Sequence, residues 1–207
     1  MELSIQKLSK AFNQKIVFSN LDLDIASGSR LAITGSNGSG KSTLLKILSG
    51  GAIPSSGKII YRHHGISVRE ELVFKKVHFV APYNTVIEEL TLPELFHFHQ
   101  DLGTLSNYNS YQEWVSQLSY TFQYDHRIKT FSSGMKQRIK LGLVLLDNRP
   151  LILLDEPGSN LDSQGKEWFY TLLDKLSPEQ TLIIATNDSR EQGYCSQVLN
   201  IENYSTR

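Results

Sequence analysis

The stretch Gly35-Ser36-Asn37-Gly38-Ser39-Gly40-Lys41-Ser42 constrains this chain more than any other part of it. It has the spacing G-x-x-x-x-G-K-[ST] of a phosphate-binding loop. Its setting suits that reading. The strand-like run Arg30-Leu31-Ala32-Ile33-Thr34 enters the loop, and Leu44, Leu45, Ile47 and Leu48 leave it at helical spacing. Glycine lets backbone N–H groups turn inward around phosphate oxygens, because no Cβ blocks a positive φ or a close approach. The helix start that follows adds partial positive charge. Lys41 supplies a point charge for the β- and γ-phosphates, and the Ser42 hydroxyl suits Mg²⁺. The candidate cofactor contacts therefore run from Gly35 and Ser36 through Asn37, Gly38, Ser39, Gly40, Lys41 and Ser42 to Thr43.

A second feature complements the loop. Leu151-Ile152-Leu153-Leu154 is an apolar strand that ends in Asp155-Glu156. Strand alternation sends neighbouring side chains to opposite sides, so the two acids can serve different roles. Asp155 can hold Mg²⁺, and Glu156 can act as general base on an attacking water. A solvated strand end is the bland alternative, and the phosphate loop tips the reading towards chemistry.

Around these motifs the chain reads as α/β. Strand-like runs occupy residues 3–8, 30–34, 58–61, 77–80, 151–154, 181–186 and 197–201, and several are continuous Leu/Ile runs suited to burial on both faces. Helix-like segments at 41–48, 133–146 and 165–176 alternate with them. In the second, Met135, Ile139, Leu143 and Leu146 fall on one stripe. Residues 91–129 differ: aromatic, helix-like segments dominate and no buried strand is evident. This predicts a single domain over 1–207 with a helical insertion at about 83–131.

Composition narrows the class. Lys+Arg and Asp+Glu are both 21 in 207 residues, so no strongly basic nucleic-acid binder is indicated. The single cysteine excludes an internal disulfide framework and fits a reducing compartment. The N-terminus lacks a signal layout. The longest apolar stretch, about residues 141–146, falls far short of the roughly 18 needed to span a bilayer. Action at a membrane would need a partner. The six histidines show no metal-site spacing.

The segment Phe131-Ser132-Ser133-Gly134-Met135-Lys136-Gln137-Arg138 resembles the L-S-G-G-Q signature of ATP-binding subunits of ABC transporters, and Pro157-Gly158-Ser159-Asn160-Leu161-Asp162 is similar to the D-loop that follows the acidic pair there. The resemblance covers nearly the whole chain. It implies a P-loop NTPase fold of ABC type, with a mainly parallel sheet core, an N-terminal antiparallel β lobe and an inserted helical subdomain. It implies ATP and Mg²⁺ as cofactors, and a head-to-tail dimer in which Ser132 and Gly134 of one domain meet the nucleotide of the other, with Asp162 beside it. Phe12 sits where the family places an aromatic that stacks on adenine; an apolar core position is the alternative. Asn187 stands where the family has its switch histidine, and is carried as a catalytic candidate with Glu156 and Lys41. Three departures stand out: Ser133 and Met135 in the signature, Pro82 where a glutamine follows the strand 77–81, and Asn187 itself. Asn can donate a hydrogen bond but cannot become cationic.

The expected function is ATP binding and hydrolysis by a subunit on the cytoplasmic face of a membrane, driving a separate membrane-spanning transporter subunit and paired with a second ATP-binding domain. The stretch Leu90-Thr91-Leu92-Pro93-Glu94-Leu95-Phe96-His97-Phe98 looks similar to compact export-type subunits, including the haem-exporter class. Rival readings are a soluble ABC ATPase, disfavoured by one P-loop and no heptad run, and a hydrolysis-deficient nucleotide switch, suggested by Pro82 and Asn187. A small-molecule kinase is weaker, since Glu156 directly follows Asp155 and the signature lies upstream.

Overall fold

The computed structural model describes residues 1–13 and 15–205. The chain divides into two compact units. The first contains Met1–Ala81, Arg149–Glu156 and Ser177–Arg207. Its strands in chain order are β1 (Glu2–Phe12), β2 (Lys15–Ile25), β3 (Arg30–Thr34), β4 (Ser56–His63), β5 (Ile66–Val68), β6 (Val77–Val80), β7 (Leu151–Asp155), β8 (Thr181–Ala185) and β9 (Gln197–Asn200). Helices α1 (Lys41–Leu48) and, later in the chain, a short Ser189–Gly193 turn of helix belong to it as well.

These strands form two sheets. One is antiparallel, in the order β2-β1-β4-β5. The other is parallel, in the order β6-β7-β8-β3-β9. Every residue of β7 and of β8 is buried, as continuous apolar runs require of central parallel strands. One apolar core joins both sheets and α1. Leu3, Ile5 and Phe18 come from the antiparallel sheet, Leu44, Leu45 and Leu48 from α1, and Leu31, Ile33, Leu153 and Ile183 from the parallel sheet. Burying each of these side chains is worth about 1.5–3 kcal/mol.

The register places the site. Ile33 of β3 pairs with Ala185 of β8, Asp155 of β7 pairs with the same Ala185, and Thr34 pairs with Asn200 of β9. The C-terminal ends of four parallel strands thus share one edge, where open α/β sheets place ligands.

The second unit contains Pro82–Asn148 and Pro157–Leu176. Its helices are α2 (Leu92–Asp101), α3 (Tyr111–Gln117), α4 (Ser133–Leu145) and α5 (Ser163–Asp174). Side chains fix each start. Thr91 and Glu94 form a reciprocal capping box on α2, and Ser110, Ser132 and Asp162 cap α3, α4 and α5. An aromatic core fills the unit, with the rings of Phe96 and Trp114 5.6 Å apart and both fully buried. The Trp168 indole N–H, on α5, donates to the Gln117 carbonyl at 2.8 Å. The helical unit is larger than the expected insertion at 83–131, because α4 and α5 cluster with α2 and α3. The single apolar stripe expected on α4 is also too narrow. Gln137–Ile139 and Leu141–Leu145 are all buried, so the helix is enclosed on most sides and its polar members need internal partners. Gln137 donates to the Pro157 carbonyl at 2.8 Å, and Arg138 donates to the carbonyls of Leu118 and Ser119. β2 went unanticipated: Leu21–Ile25 alternates, but residues 15–20 before it do not, and its pairing with β1 shifts register three times. Among the described residues no helix is long and apolar enough to cross a membrane.

Candidate active site

The phosphate loop leaves β3 and closes on its own lysine. Lys41 is only 5% exposed, and its Nζ donates to the carbonyls of Gly35 at 2.7 Å and Ser36 at 3.1 Å. A buried ammonium held by two carbonyls is an incompletely neutralised cation, ready to exchange neutral acceptors for a charged phosphate oxygen. Gly40 has φ 108°, and a Cβ there would lie 2.5 Å from a Val17 methyl on β2. Gly35 has φ 143°, and its Cβ would meet Ser39 Oγ at 2.7 Å and an Ile201 methyl at 2.9 Å. Only glycine meets both conditions at these positions.

A cavity of about 370 Å³ opens beside the loop. It gathers Asn37, Gly38, Gly40, Lys41, Ser42 and Thr43 with Phe12, Lys15, Val17 and Glu156. Phe12 ends β1 and is 56% exposed rather than in the core, with the Lys10 ammonium 4.8 Å from its ring centroid. Lys15 and Val17 were not anticipated, because the antiparallel pairing of β2 with β1 is what brings them here. Gly35, Ser36 and Ser39 do not line this cavity; Ser36 and Ser39, with Asn37 and Gly38, border a second one.

The acidic pair is split, but not by strand alternation. Asp155 ends β7 at 2% exposure, and both of its carboxylate oxygens are without a hydrogen-bond partner. Burial pushes its pKa up; the nearby Ser42 hydroxyl and Lys41 oppose that rise, and Glu156 adds to it. The Ser42 hydroxyl is close enough to act electrostatically without reaching hydrogen-bond geometry with either oxygen. Glu156 lies just beyond the strand with φ 47°, a left-handed conformation costly for a non-glycine residue. Its N–H donates to the Ala185 carbonyl at 2.9 Å, and its exposed side chain reaches the cavity. A strained backbone therefore does what alternation was expected to do.

These residues fit a divalent cation, which Asp155 and Ser42 would hold. A buried, unpartnered carboxylate and an exposed serine hydroxyl are hard oxygen donors, the set that Mg²⁺ prefers. Asn187 is exposed just after β8, and its Oδ1 accepts from the Gly35 N–H at 3.4 Å, which ties it to the start of the loop.

The remaining predicted residues lie in the helical unit. Ser132 is exposed and its hydroxyl accepts from the Met135 N–H at 3.3 Å. Gly134 tolerates no Cβ, which would sit 2.9 Å from the Asn160 carbonyl. Asp162 accepts from the Gly165 N–H at 2.7 Å and lies 3.6 Å from the Arg138 guanidinium, so it already serves the fold.

A family model described as ABC transporter matches residues 18–159. This chain belongs to the ABC transporter family. The cassette is 31% identical over 201 residues to the lipoprotein-releasing system ATP-binding protein LolD of Leptospira interrogans, covering 90% of this chain and 82% of that one. It is 28% identical to the cytochrome c biogenesis ATP-binding export protein CcmA of Haemophilus influenzae, over 98% of this chain and 96% of the other. It also matches ABC transporter A family member 8 of Dictyostelium discoideum at 31% identity, spanning only 25% of that protein's length. In structure it resembles a protein of Pyrococcus furiosus described as an ABC transporter ATP-binding protein, with TM-score 0.82, 26% identity and complete coverage of both chains. The α/β P-loop architecture of the ABC type follows from the two sheets, the helical unit and this match. ATP-binding domains of this family bind and hydrolyse ATP to energise a membrane-spanning partner, and that general role carries over to the cassette.

Proposed function

We propose that the cassette binds Mg-ATP in the 370 Å³ cavity and hydrolyses it to drive a separate membrane-spanning transporter subunit from the cytoplasmic face of a membrane. The observation that carries this reading is the convergence of Phe12, the phosphate loop and Glu156 on that one cavity. Phe12 offers a ring face to adenine. Lys41 gives up its loop carbonyls for the β- and γ-phosphates. Ser42 and Asp155 hold Mg²⁺, which when bound neutralises charge on the phosphate oxygens. Glu156 takes the proton from a water attacking the γ-phosphorus in line with the leaving oxygen, and catalysis is mostly positioning and charge stabilisation. Asn187 donates a neutral hydrogen bond near the γ-phosphate.

Ser132 and Gly134, and Asp162 beside them, complete the nucleotide site of a second ATP-binding domain in a head-to-tail dimer. An α4 start with a serine cap is suited to facing a phosphate. Near-complete mutual coverage with CcmA supports the compact export-type class. A second reading, a nucleotide switch with little turnover, is supported by Pro82 and Asn187, the latter offering only a neutral donor where the family has a histidine.

Lys41→Ala tests the site. Nucleotide titration should show no measurable ATP binding, and wild-type affinity would refute the phosphate-loop assignment. Phosphate release at saturating Mg-ATP separates the ATPase from the switch.

A further inference from the structure

We infer that Glu202 is a positioning residue for the phosphate loop, fixing the Ser36 peptide with its N–H held away from the nucleotide. The inference rests on the reading that this loop binds ATP phosphates.

The placement begins with β9. Its pairing with β3 ends at Thr34↔Asn200, so the residues after Asn200 lie beside the residues after Thr34. There the chain makes a 3-10 turn, Ile201–Tyr204. The Asn200 side chain accepts from the Glu202 N–H at 3.0 Å and fixes the turn's start. Ile201 is fully buried, with a methyl group against Gly35. At the far end, the Ser205 hydroxyl donates to the Val17 carbonyl at 3.2 Å. The turn is therefore anchored at three points next to the loop.

Glu202 Oε1 then accepts twice from Ser36, from the N–H at 3.0 Å and from the hydroxyl at 2.5 Å. With that, the first two residues of the loop have every backbone polar group assigned. Gly35 N–H goes to Asn187 and its carbonyl to Lys41; Ser36 N–H goes to Glu202 and its carbonyl to Lys41. Ser36 thus sits between a carboxylate and an ammonium, and hydrogen bonds in such a chain polarise one another.

A carboxylate beside a polyphosphate site runs against simple charge logic, since like charges repel. Its location resolves the conflict. Glu202 borders the second cavity, about 590 Å³, whose lining includes none of Phe12, Lys41 and Glu156. The two Ser36 hydrogen bonds hold its carboxyl below the usual glutamate range, with Lys41 adding to the effect, so it stays ionised. Its charge also makes the second cavity unfavourable for phosphate and leaves the Lys41 side as the productive one.

The test compares Glu202→Ala with Glu202→Gln. Gln keeps an oxygen acceptor for Ser36 and loses only the charge. Glu202→Ala should weaken Mg-ATP affinity about tenfold, the effect of losing charge-assisted hydrogen bonds made by an exposed carboxylate. Its kcat at saturating Mg-ATP should be unchanged, and Glu202→Gln should bind within about threefold of wild type. Wild-type affinity in Glu202→Ala overturns the inference. So does equal weakening in both variants, or tighter binding in both, since either makes charge rather than positioning the cause. Lys41→Ala, run alongside, separates the two levels. If it too leaves affinity unchanged, the phosphate-loop reading fails; if it abolishes binding while Glu202→Ala does nothing, only the role of Glu202 fails.

Discussion

Asp155→Asn should stabilise the cassette in the absence of Mg²⁺ and destabilise it, relative to wild type, in its presence. Asp155 is 2% exposed and both of its carboxylate oxygens lack a hydrogen-bond partner. A buried acceptor left unmatched costs about 1–3 kcal/mol, and more when charged. Asn is nearly the same shape and neutral, but its amide is also unmatched there, so about 1–2 kcal/mol is the net gain expected. For a chain of this length, 1 kcal/mol moves the melting temperature about 2–4 °C. The apo variant should therefore melt about 2–8 °C above wild type in chelator at neutral pH.

The pH dependence has a definite sign. Burial raises the carboxyl's pKa in the folded state, so the folded protein binds that proton more readily than the unfolded chain does. The ionised Asp155 is then a cost above its folded-state pKa, and the cost is gone below the ordinary carboxylate value. The gap between variant and wild type should close as pH falls through that window. Thermal melts in chelator and in excess Mg-ATP, across pH, read all of this. An Asp155→Asn protein less stable than wild type in chelator, or a gap that does not narrow in acid, would show that the carboxylate is compensated within the apo fold and not waiting for a cation.

Other outcomes follow from the same geometry. Glu156→Gln should keep ATP binding, stop phosphate release and accumulate an ATP-bound dimer on size-exclusion chromatography; wild-type turnover would place the base elsewhere. Asn187→His should raise steady-state phosphate release at saturating Mg-ATP, up to about tenfold for a transition-state gain of about 1.4 kcal/mol, because a histidine can donate a charge-assisted bond. Equal or lower turnover would mean that Asn187 does not limit the rate. Burial pushes the Cys195 thiol up to about 11, so alkylation of the native protein at pH 8 should be far slower than after denaturation.

Legibility in the sequence tracked how local each cause was. The loop from Gly35 to Thr43, the strand before it and α1 after it were readable because motif, turn chemistry and apolar periodicity sit within about twenty residues and agree. β7 and β8 were readable because full burial leaves continuous Leu/Ile runs. β2 was not, since only Leu21–Ile25 alternates and the bulged half before it carries no regular pattern. Nor was the width of α4's buried surface, which depends on neighbours on several sides. Arg138 is 3% exposed and its guanidinium lies 5.3 Å from the ring centroids of both Tyr120 and Trp168, a placement that no local pattern announces.

The parts of the site least visible in sequence share one physical origin: they are set by what the parallel sheet brings side by side. Glu156 could be named from the Asp-Glu pair, but the reason it reaches the cavity is a left-handed backbone pinned by the Ala185 carbonyl of the neighbouring strand. Asn187 could be named from its place after β8, but its hold on the Gly35 N–H exists because β8 pairs with β3. Glu202 had no signal at all, and it meets Ser36, 166 positions earlier, because β9 pairs with β3 on the other edge. The phosphate loop is thus flanked on both sides by residues from strands that follow it far along the chain. A motif specifies which groups can bind phosphate; the strand order decides which of those groups are already occupied and which are left facing the cavity.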